Sequence, residues 1–137
     1  MLKLQDLKVE KQLGAGASAD VFKGTYKEAD VAIKKLRNLM SANENTMKEF
    51  KREVSTLTRV RHPNLVLFMG ASAEKGHILI VTEFCSGGTL FQLLHEKLSV
   101  KLTWKQRYTM ALDIAKGMHF LHSQEPPILH RDLKSLK

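Results

Sequence analysis

The chain has 137 residues, 43% hydrophobic composition and a net charge of +8. That is enough for one core, or part of a larger domain. The basic residues are scattered and aromatics make up only 7%, which excludes a stacking platform for nucleic acid. The single cysteine, Cys85, excludes an internal disulfide and suits a reducing compartment. No apolar stretch follows the N-terminal methionine as in a signal peptide. None approaches the roughly 20 residues that a membrane span needs. A cytoplasmic location is therefore expected, with neither nucleic acid nor a membrane as partner.

Residues 7–36 read as three antiparallel strands. Leu7, Val9 and Leu13 lead into Gly14; Val21, Phe22 and Tyr26 follow; Val31-Ala32-Ile33-Lys34 comes after a turn expected at Glu28-Ala29-Asp30. The glycine-rich stretch Gly14-Ala15-Gly16-Ala17-Ser18-Ala19 lets backbone approach a phosphate, because no Cβ intervenes. By its letters it also fits the dinucleotide pattern G-x-G-x-x-G/A. That pattern needs a helix next and an acidic residue about 20 positions on, whereas here a β-rich run follows and the later landmark is a lysine. An ordinary hairpin turn remains the simple alternative. Strand alternation places Ala32 and Lys34 on the face opposite Val31 and Ile33. Lys34 thus shares its face with a small residue, leaving room for a flat ring, unless it is merely a solvated lysine.

The spacing of Met47, Phe50, Val54 and Leu57 predicts a helix over 41–61 with one buried stripe. Ser41 with Glu44, or Thr46 with Glu49, fits a capping box at its start. Glu53 lies at the inward edge of the stripe and needs a cation if buried. Lys34 is one candidate; a surface pair with Arg52 or Lys48 is the other. His62-Pro63-Asn64 ends the helix. Strands are expected from Leu65 to Met69, stopping at Gly70, and from Ile78 to Phe84, with a turn at Ala73-Glu74-Lys75-Gly76. Cys85-Ser86-Gly87-Gly88 is the best boundary in the sequence. Thr89 can cap a short helix through Leu90, Leu93 and Leu94.

The longest helix is expected over 103–123, capped by Thr103, with Trp104, Tyr108, Ala111, Ala115, Met118 and His122 on its apolar stripe and Ile114 and Leu121 beside it. His119, His122 and His130 are poorly spaced for zinc, and no metal site is assigned. Gln124-Glu125-Pro126-Pro127 ends the helix. Ile128-Leu129, a short strand, leads into His130-Arg131-Asp132-Leu133-Lys134.

The glycine-rich turn, strand lysine, helix glutamate and His-Arg-Asp loop occur in the order of a protein-kinase signature. The chain resembles the amino-terminal half of a eukaryotic protein kinase catalytic domain over nearly all its length. Arg61-His62-Pro63-Asn64, Leu67-Phe68-Met69-Gly70, Val81-Thr82-Glu83-Phe84 and Ser86-Gly87-Gly88-Thr89-Leu90 are similar to the tyrosine-kinase-like group, Raf-like and mixed-lineage relatives in particular. Lys134, two residues after Asp132, is similar to the serine/threonine form of the loop.

The resemblance implies an α+β fold: a five-stranded antiparallel sheet with one helix in residues 1–81, a gatekeeper and hinge in 82–88, and the start of a helical lobe, truncated, in 89–137. It implies ATP and Mg2+ as cofactors and a protein substrate. Gly14 and Gly16 would lie over the phosphates, Val21 and Ala32 would pack on adenine, and Lys34, oriented by Glu53, would hold the α- and β-phosphates. Thr82 matches the gatekeeper, and the backbone of Glu83 and Cys85 would meet the adenine edge. His130 and Arg131 would support the loop, Asp132 would take or orient the hydroxyl proton, and Lys134 would neutralise the transferring phosphoryl group.

Three departures stand out. Ala19 replaces a usual third glycine, at a cost of about 1 kcal/mol if φ there must be positive. Lys137 stands where the family has a magnesium-binding asparagine. No Asp-Phe-Gly occurs. The 137 residues by themselves are therefore expected to have little or no kinase activity. The alternatives are a non-catalytic module that binds nucleotide or docks on a partner covering the exposed helix 103–123, and an incomplete gene product.

Overall fold

The computed structural model describes residues 2–16, 19–37, 44–74, 77–97 and 99–136. The seven principal elements are β1 (Leu7–Ala15), β2 (Ala19–Tyr26), β3 (Ala29–Leu36), α1 (Glu44–Arg59), β4 (Phe68–Glu74), β5 (His77–Glu83) and α2 (Trp104–His122). They divide between two compact units: Met1–Arg61 with Val66–Phe84, and His62–Leu65 with Cys85–Lys137.

The first unit is a five-stranded antiparallel sheet in the order β1-β2-β3-β5-β4. Successive residues of its strands alternate between two faces, and each face carries a buried cluster, while β1 is largely exposed. On one face Val31, Ile33, Leu79 and Val81 form a buried cluster with Leu2, joined by Leu7, Phe22, Tyr26 and Met69. Leu2 is held there by its own N–H, which donates to the Ala71 carbonyl at 2.9 Å. On the other face Ala71, Ile78 and Ile80 meet Phe50 of α1, flanked by Met47, Val54 and Leu57. The apolar stripe read from the helix spacing is therefore the one that packs. Ser41 lies outside the described residues. Thr46 lies within the helix, so the Thr46–Glu49 pattern does not mark its start.

Two local features differ from expectation. The β2–β3 turn is Lys27-Glu28, one step earlier than Glu28-Ala29-Asp30, because Tyr26 pairs with Ala29. Both turn residues have positive φ (47° and 69°), the condition for the tight hairpin whose twist matches its strands. Gly70 does not end a strand after Leu65–Met69. It sits inside β4 at φ +154°, at a register shift between Phe68 and Gly70. A Cβ there would lie 2.6 Å from Leu2 Cγ. The glycine thus serves as a bulge under the N-terminal plug, and β4 runs on to Glu74. Residues 75–76 of the expected turn lie outside the described residues.

In the second unit Thr89 caps the next turn reciprocally. Its Oγ1 accepts from Gln92 N–H at 3.2 Å while its own N–H donates to Gln92 Oε1 at 2.9 Å. Gln92–Glu96 then forms a single wide π-type turn. α2 begins with a capping box between Thr103 and Gln106, as its sequence demands. Its buried side is not the expected stripe. Trp104 and Tyr108 are 85% and 70% exposed, whereas Gly117 and Leu121 are buried and Met110, Asp113, Met118 and Phe120 are half-buried, so only Met118 of the stripe and Leu121 beside it turn inward. The packing partner decides this. His62–Leu65 lies against Gly117, where a Cβ would come within 2.9 Å of the Asn64 carbonyl oxygen, and the His62 ring packs on Phe120 at 5.0 Å. Apolar residues occur around much of α2, so periodicity alone could not select the side. Ile128-Leu129 forms no strand; Ile128 N–H instead donates to the Leu121 carbonyl at 2.9 Å, folding the chain back on the helix end.

Candidate active site

The register of the first unit brings its candidate residues to one face. Val21 pairs with Lys34 and Lys34 with Ile80; in the next row Lys23 pairs with Ala32 and Ala32 with Thr82. Cross-strand partners share a face. Val21, Ala32, Lys34 and Thr82 therefore stand on the α1 side of the sheet, beside the Ile80 cluster. From α1, Glu53 completes the group: its Oε1 lies 3.1 Å from Lys34 Nζ. Both side chains are 42% exposed. Such a pair contributes about 0–1 kcal/mol to stability, so desolvation does not account for it. Its effect is to fix where the ammonium points.

The glycine-rich hairpin joins β1 to β2. Gly16 N–H donates to the Ala19 carbonyl at 2.8 Å, closing the turn. Nothing lies within 4 Å of a Cβ built on Gly14. The fold makes no demand for glycine there, which leaves open space over the hairpin. Ala19 is the first residue of β2, is buried and is not among the residues of positive φ. The expected penalty at that position does not arise. Residues 17–18 lie outside the described residues.

At the end of β5 the backbone is partly committed. Glu83 N–H donates to the Leu67 carbonyl at 2.9 Å, and Leu67 N–H donates to Glu83 Oε1 at 2.7 Å. The Glu83 carbonyl accepts from Thr82 Oγ1 at 3.2 Å. Sequence reading assigned Glu83 only a backbone role and missed its side chain as the anchor of residue 67.

In the second unit, the Cys85 carbonyl accepts from Gly88 N–H at 3.2 Å. The loop 130–134 is exposed. Asp132 N–H donates to His130 Nδ1 at 3.3 Å, and Arg131 adopts φ +61°. Asp132 Oδ1 lies 3.1 Å from Lys134 Nζ. A carboxylate and an ammonium thus stand together, one able to accept a hydroxyl proton and the other to offset phosphate charge. The loop is tied down beyond them, where Phe91 N–H donates to the Ser135 carbonyl at 2.8 Å. Lys137 lies outside the described residues.

One cluster went unread in the sequence. Asp20 accepts two hydrogen bonds from Arg37, Nε to Oδ2 at 2.8 Å and Nη2 to Oδ1, and a third from Gln12 Nε2 at 3.2 Å. The Arg37 hydrogen bond holds the Asp20 carboxyl below its usual range, and the same bond raises Arg37. The ladder pattern alone gave no signal for it, because Arg37 lies beyond the end of β3.

The family model for protein tyrosine and serine/threonine kinases matches residues 7–136. The chain belongs to the protein kinase family. Its residues are those of the amino-terminal half of the kinase catalytic domain, in the tyrosine-kinase-like form. It is 44% identical over 131 residues to serine/threonine-protein kinase CTR1 of Arabidopsis thaliana, covering 95% of this chain and 16% of that protein. It is 40% identical over 134 residues to the probable serine/threonine-protein kinase drkC of Dictyostelium discoideum, covering 98% of this chain and 18% of that one. A putative serine/threonine-protein kinase/receptor, R818 of Acanthamoeba polyphaga mimivirus, is 44% identical over 131 residues, covering 96% of this chain and 8% of the viral protein. The chain thus spans less than a fifth of the length of these relatives. The five-stranded antiparallel sheet with its helix is the α+β arrangement expected of a kinase amino-terminal lobe.

Among the described residues no group of three or more His, Cys, Asp or Glu could hold a metal ion. No helix among them is long and apolar enough to cross a membrane.

Proposed function

We propose that this kinase domain binds ATP against the Val21, Ala32 and Lys34 face of its sheet and serves transfer of the γ-phosphoryl group to a protein serine or threonine. The observation that carries the reading is the Lys34–Glu53 pair at 3.1 Å, on the same face as Val21 and Ala32. An ammonium held in place by a carboxylate is a fixed site for phosphate charge, and phosphoryl transfer depends chiefly on positioning and charge stabilisation. In this reading residues 1–81 hold the nucleotide, 82–88 are the hinge and 89–137 open the second lobe. The compact units, which part between Phe84 and Cys85, support that division.

The roles are those that the family resemblance implies, and the chemistry of each group suits them. Lys34 holds the α- and β-phosphates, with Gly14 and Gly16 allowing backbone to lie over them. Ala32 and Val21 pack on the adenine ring; the Glu83 carbonyl and the Cys85 backbone meet its edge, beside Thr82. In the transfer, the substrate oxygen bonds to the γ-phosphorus as the bond to the bridging β–γ oxygen breaks, leaving ADP. Asp132 accepts or orients the proton released by the hydroxyl, and Lys134 offsets charge on the moving phosphoryl group. The family works with Mg2+, which supplies further charge neutralisation when bound. Among the described residues no group of three or more His, Cys, Asp or Glu could hold the ion by itself.

The test is a thermal-shift titration with ATP on wild type and Lys34→Met. Ligand at about 100 times its Kd stabilises by about 2.7 kcal/mol, a shift of several degrees. The variant should fold, since the pair is half-exposed, and should show no shift. Equal shifts in both proteins would remove Lys34 from the site.

A further inference from the structure

The glycine-rich hairpin must be held at a definite height over the sheet if its backbone is to meet phosphates. The ladder does not do this well. The β1–β2 pairing has register shifts between Val9 and Gln12 and again between Gln12 and Gly14, immediately before the turn. Gly14 has no atoms within 4 Å on its Cβ side to pack against. Something else has to fix the hairpin.

We propose that Asp20 and Arg37, with Gln12, form a clamp that positions Gly14 and Gly16 over the nucleotide phosphates. This rests on the ATP-binding reading above. Asp20 is the first residue past the Gly16–Ala19 closing bond and pairs with Ala15 across the hairpin. It receives Gln12 from β1 and Arg37 from just beyond β3. One carboxylate thus joins three strands at the mouth of the turn, and Arg37 is three residues from Lys34 on the strand that grips the phosphates. The Arg37 contact is two-pronged, Nε to Oδ2 at 2.8 Å and Nη2 to Oδ1, so it restrains rotation as well as separation.

Alternation along β2 puts Asp20 on the face with Phe22, opposite Val21 and Lys34. The clamp therefore touches no nucleotide. Asp20 and Arg37 are positioning residues that act through the hairpin. Carboxyl and guanidinium are both ionised through the neutral range, and the hydrogen bond between them moves each further from it.

The experiment measures Kd for ATP and for adenosine, with Tm, on wild type, Asp20→Asn, Arg37→Gln and the double variant. Phosphates distinguish the two ligands, so a hairpin effect appears in ATP alone. Each single variant should weaken ATP about fivefold to tenfold, the scale of one lost charge-assisted hydrogen bond. Adenosine affinity should stay within about twofold. The double variant should be no weaker than the singles, because both remove one interaction. Equal weakening of ATP and adenosine would reduce the pair to a structural contact and overturn the clamp, as would unchanged ATP affinity or additive losses. A wild type that binds ATP no better than adenosine would overturn the underlying phosphate site instead. That outcome is told apart because it needs no variant.

Discussion

The two compact units place their candidate functional residues by different means. In the sheet unit, Val31, Ile33 and Val81 are fully buried, and an unbroken register carries Val21, Ala32, Lys34 and Thr82 onto one face. A one-residue slip would send all four to the other side. In the second unit, Gly117 and Leu121 are the buried residues of α2, and the 130–134 loop is held by single hydrogen bonds and one exposed ion pair. Position there depends on a few local contacts. A sheet fixes sites collectively, whereas the helix-and-loop unit fixes them one bond at a time, and substitutions should reveal that difference.

The largest effect is expected where the sheet has no slack. Gly24 faces Lys8 and Ile33, and a Cβ would fall 2.3 Å from the Lys8 carbonyl oxygen and 2.5 Å from Ile33 Cδ1. The first obstacle is backbone and the second belongs to the most buried cluster, so neither can step aside. Gly24→Ala should cost about 3 kcal/mol and lower Tm by about 10 °C. Thermal denaturation checks it. A loss below about 0.5 kcal/mol would show that the β1–β2 pair yields as easily as the second unit.

Gly117→Ala asks the same question of the second unit, with a sharper sign. In a helix free of neighbours the substitution gains about 1 kcal/mol. Here the new Cβ would lie 2.9 Å from the Asn64 carbonyl oxygen and 3.1 Å from Leu65 Cδ2. Overlap of that kind costs about 2 kcal/mol, so a net loss of about 1 kcal/mol is expected. Chemical denaturation measures it. A net gain would mean that His62–Leu65 is a loose tether and that α2 takes its orientation from something else.

The same contrast explains what could be read beforehand. The α1 stripe of Met47, Phe50, Val54 and Leu57 was legible because its partner is a sheet face of matching period. The four motifs of the site were legible because their chemistry restricts residue type. The buried side of α2 was not, since Trp104 and Tyr108 are as apolar as the residues that pack, and only the return of His62–Leu65 selects among them. Gly70 was misread as a stop because a bulge and a strand end call for the same residue. The Asp20–Arg37 pair was missed because it joins segments 17 positions apart that no pattern links.

The smallest effect is expected at the β2–β3 turn, and it tests how far the sheet's register depends on its loops. Lys27 and Glu28 hold positive φ without the side chains that favour it. Left-handed backbone costs an ordinary residue about 1 kcal/mol, and Asn-Gly is the pair best suited to such a turn. Replacing Lys27→Asn with Glu28→Gly should stabilise the domain by about 0.5–1 kcal/mol, less than the local saving because glycine also loosens the unfolded chain. The turn lies at the far end of β2 and β3 from Asp20 and Lys34. ATP affinity should therefore be unchanged while the denaturation midpoint rises. A rise accompanied by altered ATP affinity would mean that the turn sets the pairing of Val21 with Lys34. The rows of the ladder, with Val31 and Ile33 locked beneath, would then not be what holds the candidate site in register.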